Sequence, residues 1–171
     1  MSLKPEIGIA DQKEGNEQAA IKIVEYGDYQ CPHCGRAYPI IKEIQSTFGD
    51  QILFVFRNFP LQESHWYATI AAQAAEAAGK QGKFWEMHDA IFENQQQLSE
   101  EYLDSLAEKL GLDMDQFEQD LNSEEISDKV EDDFESGVRS GVNGTPSFFV
   151  NGEKFDGGAE DLLQVLKESG N

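Results

Sequence analysis

Residues 21–34 read IKIVEYGDYQCPHC. Ile21 to Tyr26 is short and β-branched, the composition of a buried strand. Gly27-Asp28-Tyr29-Gln30 breaks it. From Pro32 to about Phe48 a helix fits, because Ile40, Ile41, Ile44 and Phe48 recur at helical spacing and Gly49 ends the run. Pro32 takes the first helical position, where proline is tolerated. Pro39 lies inside the helix and should kink it. The stretch places a C-x-x-C pair where a strand turns into a helix.

That placement has a chemical consequence. Unpaired backbone N–H groups and the positive dipole end favour an anion at a helix N-terminus. A thiolate is such an anion, so the Cys31 pKa should fall, and thiolate is the reactive form. Cys34 follows one turn later, near enough to close a disulfide. Each unit of depression is worth about 1.36 kcal/mol, or about 30 mV for a two-electron couple. While the thiolate is populated, depression makes a Cys31–Cys34 disulfide more oxidising. Below the depressed pKa that stabilisation disappears.

The chain contains two cysteines. A disulfide framework needs more of them, farther apart, so the pair is catalytic, metal-binding or incidental. His33 would donate to the Cys31 thiolate and bias the pair towards oxidation; the alternative is a solvent-facing ring with no redox effect. Glu25, six residues before Cys31, either faces the site and shuttles protons or ends its strand in solvent. His65 and His88 would complete a Cys2His2 zinc set. They lie 31 and 54 residues beyond Cys34, unlike finger spacing, and suit a helix start and a core face. No metal ligand is assigned.

Outward from this centre, Gln51 to Phe59 (QILFVFRNF) is a second strand closed by Pro60. Residues 64–141 are helical in pattern. Ala68 to Ala78 stops at Gly79, and Phe84, Met87, His88 and Ile91 share one face. Ser99 and Asp113 can cap helices carrying Leu103, Leu106, Ala107 and Leu110, then Met114, Phe117 and Leu121. Ile126, Val130, Phe134 and Val138 form a further stripe. Ser147 to Val150 returns to β, Asn151-Gly152 signals a hairpin, Lys154 and Phe155 start the return strand, and Leu162, Leu163 and Leu166 mark a closing helix. Residues 1–20 are polar and expected to be extended or poorly ordered. The order is therefore β-α-β over 21–63, a helical insertion over 64–141 and β-β-α over 142–171, an α/β fold.

The composition, 39% hydrophobic and 11% aromatic in 171 residues, supports a core. No stretch approaches the roughly 18–20 apolar residues of a spanning helix, so the sequence as given is expected to be soluble. Its net charge of −20 argues against nucleic acid. Residues 86–135 hold 18 Asp and Glu against two Lys, which reads as a solvated helical face. The first 20 residues contain no apolar signal-peptide core. That leaves a cytoplasmic location, or a targeting or anchoring segment that has been removed.

At VEYGDYQCPHC the chain resembles the DsbA-like branch of the thioredoxin superfamily. Glu25 matches the acidic residue before the motif, and Pro39 the kink proline of the active-site helix. Gly144-Thr145-Pro146 followed by SFFVNG is similar to the cis-proline loop and hairpin, and QGKFWEMHDAIF to a stretch of the helical insertion. The resemblance implies a thioredoxin-like fold with an all-helical insertion and dithiol oxidase activity. Cys31 would form the mixed disulfide and Cys34 resolve it. Pro32, His33 and Thr145 would tune the pair, and Pro146, in cis, would shape a groove for an extended substrate. It implies no cofactor beyond the disulfide, reduced or misfolded proteins as partners, a membrane or soluble recycling partner, a monomer and an extracytoplasmic site of action. Similar domains are exported alone, lipid-anchored or fused to membrane transporters. Thr145 stands where the best-known oxidases carry Val, which leaves a reductase or isomerase as the alternative. A non-catalytic or zinc-binding module of this fold is a third reading.

Overall fold

The computed structural model describes residues 1–169. Strand β1 (Gln12–Gly15) precedes β2 (Ile21–Gly27), helix α1 (Pro32–Phe48) and β3 (Ile52–Asn58). Five helices follow: α2 (Ala68–Gly79), α3 (Phe84–Glu93), α4 (Glu100–Lys109), α5 (Met114–Leu121) and α6 (Glu124–Arg139). The chain closes with β4 (Ser147–Val150), β5 (Glu153–Phe155) and α7 (Ala159–Ser169). The sheet order is β1-β3-β2-β4-β5. Strands β2 and β3 are parallel, joined through α1, and the other pairs are antiparallel. The fold is thioredoxin-like, with the helical block between its two halves.

Strand alternation divides the core. On one face Ile23, Phe54, Phe56 and Phe148 pack with Cys34, Ile41 and Ile44 of α1 and with the helical block. On the other, Val24, Tyr26, Leu53, Val55 and Phe149 pack with Leu3, Phe59 and Val142. Glu25 has the parity of Ile23, so its carboxyl is carried to the α1 face. Helix α2 is buried on almost every side, with seven alanines in contact with its neighbours. The insertion therefore shares one apolar cluster with the site helix.

Two local differences from the sequence reading have clear causes. Gln12–Gly15 forms an edge strand although QKEG has no β-branched residue, because β3 offers it an open edge. Val138 is 56% exposed rather than inward-facing. The inner position of that turn belongs to Gly137, where a side chain would collide with Phe59 and Tyr26.

Candidate active site

The turn between β2 and α1 is held by side chains from three directions. Asp28, fully buried, accepts from the backbone N–H of Gln30 at 2.8 Å and of Leu61 at 2.9 Å, and pairs with His65 Nδ1 at 2.7 Å. Its carbonyl accepts from Cys31 N–H at 3.1 Å, and its own N–H donates to Cys34 Sγ at 3.5 Å. Gln95, between α3 and α4, donates through Nε2 to the carbonyls of Tyr29 at 2.9 Å and Cys31 at 2.7 Å. Gln95 also explains Gly35, where a Cβ would run into its amide. Cys31 is the N-cap residue of α1 in extended conformation, and Pro32 follows at the first position, exposed.

The two thiols sit in different environments. The Cys31 pKa is lowered to about 5, first by the hydrogen bond from Cys34, then by Thr145 and the backbone N–H groups of Cys34 and His33. The Cys34 pKa is raised well above its usual value, first by burial and then by its bond to Cys31 and the nearby Glu25. Near neutral pH the pair is one thiolate and one buried thiol, the asymmetry thiol–disulfide exchange requires. Across from Cys31 the Thr145–Pro146 bond is cis. As a thiol, Cys31 donates to the Thr145 carbonyl at 3.7 Å.

Glu25 is 4% exposed and borders the same small cavity as Cys34. Burial, then the charge of Cys31, raises its pKa to about 8. Gly27 lets it lie there, since a Cβ at that position would meet the Phe56 ring and the Glu25 carboxyl. The carboxyl and Cys34 thus face one cavity, so a proton exchanged between them would cross it. His33 is exposed, and its Nδ1 lies 2.7 Å from the Arg36 guanidinium. A guanidinium has no acceptor, so Nδ1 accepts. The contact from His33 to the Cys31 thiolate comes from its backbone N–H. His65 and His88 do not meet at the thiols: one binds Asp28, and the other lies buried on α3 beside Asp89. Among the described residues no group of three or more His, Cys, Asp and Glu side chains converges as for a metal ion.

Asp28, His65 and Gln95 support the site and were not singled out for that role from the sequence. Asp28 was legible only as part of a turn, and Gln95 sits in a QQQ run with no local signal.

A sequence profile described as thioredoxin matches residues 10–168. The chain belongs to the thioredoxin family. Among solved structures of this family it is similar to the thiol–disulfide exchange protein α-DsbA2 of Wolbachia pipientis, with 25% identity and a TM-score of 0.82. That match covers 94% of this chain and 86% of the other. It is also similar to oxidised BdbD of Bacillus subtilis, with 26% identity and a TM-score of 0.80, over 94% and 90% of the two chains. These likenesses make it a DsbA-like member of the thioredoxin superfamily. A protein named Na+/H+ antiporter NhaA 1 from Salinispora arenicola is 43% identical over 86% of this chain. The chain spans only 22% of that relative's length. Among the described residues no helix is long and apolar enough to cross a membrane.

Proposed function

We propose that the chain is a dithiol oxidase that donates its Cys31–Cys34 disulfide to reduced proteins outside the cytoplasm. The observation that carries this reading is the asymmetric pair, an acidic Cys31 at the start of α1 beside a buried Cys34. A substrate thiolate attacks Cys31 Sγ; the Cys31–Cys34 bond breaks, and Cys34 leaves with the electron pair and takes a proton from Glu25. A second substrate thiolate then attacks the substrate sulfur of the mixed disulfide and releases Cys31 as thiolate. Two electrons have passed to the enzyme, and its stable thiolate favours that direction.

Pro32, His33 and Thr145 tune the pair, and cis Pro146 presents backbone to an extended substrate. No cofactor is needed beyond the disulfide. A membrane or soluble disulfide partner re-oxidises the pair, the chain acts as a monomer, and its net charge of −20 disfavours nucleic acid. An oxidising compartment suits a persistent disulfide. The resemblance of the chain to part of a longer relative is in keeping with a module that works alone or attached to a membrane protein.

Equilibration with glutathione buffers, alongside oxidation of a reduced peptide and reduction of insulin, tests the direction, with Cys31→Ser as control. An oxidase should have a potential above about −180 mV, the range of protein disulfide isomerase, and should oxidise the peptide. A potential near −270 mV with rapid insulin reduction would establish a reductase instead. Stoichiometric zinc in the purified protein with no exchange activity would establish a binding module.

A further inference from the structure

His88 of α3 lies in an aromatic box. Its ring centroid is 5.7 Å from Tyr29, 4.8 Å from Phe56, 5.0 Å from Trp85 and 5.1 Å from Phe92. Packing alone would be served by an apolar ring. Yet Nδ1 lies 2.9 Å from Asp89 Oδ1, and Nε2 is buried without a partner. The second oxygen of Asp89 takes Lys42 Nζ at 2.9 Å. Burial opposes ionisation of Asp89, but His88 and Lys42 outweigh it and hold its pKa below the usual range. An ionised carboxylate only accepts, so Nδ1 carries the hydrogen. Burial keeps the His88 pKa below its ordinary value, so near neutral pH the ring is neutral and Nε2 is a free lone pair.

His88 borders the cavity that Glu25 and Cys34 also line, a space of about 10 Å3, which is roughly room for one water. The charged and titratable groups around the ring are Asp89 on its own helix, Glu25 from β2, Glu14 from β1, Tyr29 from the turn, and Cys34, Tyr38 and Lys42 from α1. With a pKa of about 8, the buried Glu25 carboxyl is mostly protonated near pH 7, so it must give up its proton before it can accept that of Cys34. The imidazole offers the acceptor, and Asp89, 28% exposed, the outlet.

We propose that the His88–Asp89 pair is the proton relay of this site, joining Glu25 to solvent. This rests on the exchange reading above. In the resolving step Glu25 first gives up its proton; Cys34 then loses its own to the carboxylate so formed and attacks Cys31 Sγ. The Cys31–Cys34 bond forms, and the partner sulfur leaves as thiolate. The proton that Glu25 gives up passes, directly or through one water, to His88 Nε2. The Nδ1 proton moves to Asp89 and on to water. The opposite half-reaction protonates Cys34, so the same chain runs backwards and the imidazole returns to its starting tautomer. His88 acts through Glu25 and is a positioning residue for proton flow.

The test uses a preformed mixed disulfide between Cys31 and thionitrobenzoate, whose coloured thiolate is released when Cys34 attacks. Release is followed from pH 6 to 9 in wild type, His88→Ala and Asp89→Asn, with and without free imidazole. Both variants should release about tenfold more slowly at pH 7, less than the loss of a directly acting acid–base group. Imidazole should restore His88→Ala, because it fits the space the side chain leaves. Asp89→Asn lies nearer the surface and tests the relay even if His88→Ala does not fold. Wild-type rates in Asp89→Asn across the pH range, or slow release in folded His88→Ala that imidazole does not restore, would overturn the relay alone. A wild-type adduct that never releases would overturn the exchange reading itself.

Discussion

Thr145 offers Cys31 two groups of opposite effect. Its carbonyl accepts the thiol hydrogen, while its hydroxyl, buried with no hydrogen-bond partner, is free to turn to the thiolate. Thr145→Val keeps the shape and removes only the hydroxyl. The Cys31 pKa should rise by about one unit, making the disulfide about 30 mV less oxidising, measured by thiolate absorbance and glutathione equilibration. An unchanged titration would remove Thr145 from the tuning set. Glu25 carries the opposite sign. Its folded pKa of about 8 lies above the unfolded value, so stability is full below about pH 4.5 and is lost as pH rises to about 8. Glu25→Gln has no such loss. In the oxidised form, where no thiolate contributes, it should match wild type near pH 4 and exceed it by a few kcal/mol at pH 8 in urea unfolding. Identical pH profiles would mean that the carboxyl ionises at its ordinary pKa.

Helices α2 and α6 meet the end of β3 through a buried ionic cluster. Lys129 lies 2.8 Å from Asp133 and 3.7 Å from Glu76, and Asn58 donates to both carboxyls at 2.8 Å. Burial raises the Asp133 pKa to about 6. Lys129→Met leaves two buried carboxyls without their cation. It should cost about 3 kcal/mol at pH 7.5 by denaturant unfolding, and less at pH 5, where Asp133 takes up a proton. A cost independent of pH would mean that the loss is packing alone. The elements themselves were largely legible. Ser99, Asp113 and Ser123 cap α4, α5 and α6 through their side chains, and the first two stood out from spacing alone. Strand β1 was not, because its polar residues are held by the edge of β3 rather than by any preference of their own.

For the molecule as a whole, the oxidase proposed above should show the reverse of the usual effect of a disulfide on stability. The folded Cys31 pKa of about 5 lies below the unfolded value, so reduced protein gains stability as pH rises from about 5 towards 9 and loses it as pH falls. Reduced protein should therefore be the more stable form at pH 7. Its margin over the oxidised form should grow by up to about 1.4 kcal/mol per pH unit in that window. Paired denaturation curves of the two redox forms check this; the effect of Glu25 burial is present in both and largely cancels. A margin that shrinks as pH rises would contradict the assigned thiolate.

The C-x-x-C pair and the strand and helix that frame it were legible in the residues alone. The face taken by Glu25 stayed open, but the β-branched run Ile21 to Tyr26 marked the strand before the pair, proline marked the first turn of α1, and the hairpin after Thr145-Pro146 was visible in Asn151-Gly152. These are local properties, set by backbone geometry and by residues that are neighbours in the chain. Only the tertiary structure decided what surrounds the thiols. His65 and Gln95 reach the turn from 37 and 64 residues away, and His88 meets Glu25 and Cys34 across one cavity. Such contacts arise because the helical block packs its apolar face onto the sheet. A polar side chain caught inside that interface must then find its partner in space rather than in sequence. The opening C-x-x-C pair thus named the chemistry, while the packed insertion determined how its proton reaches water in the relay we propose.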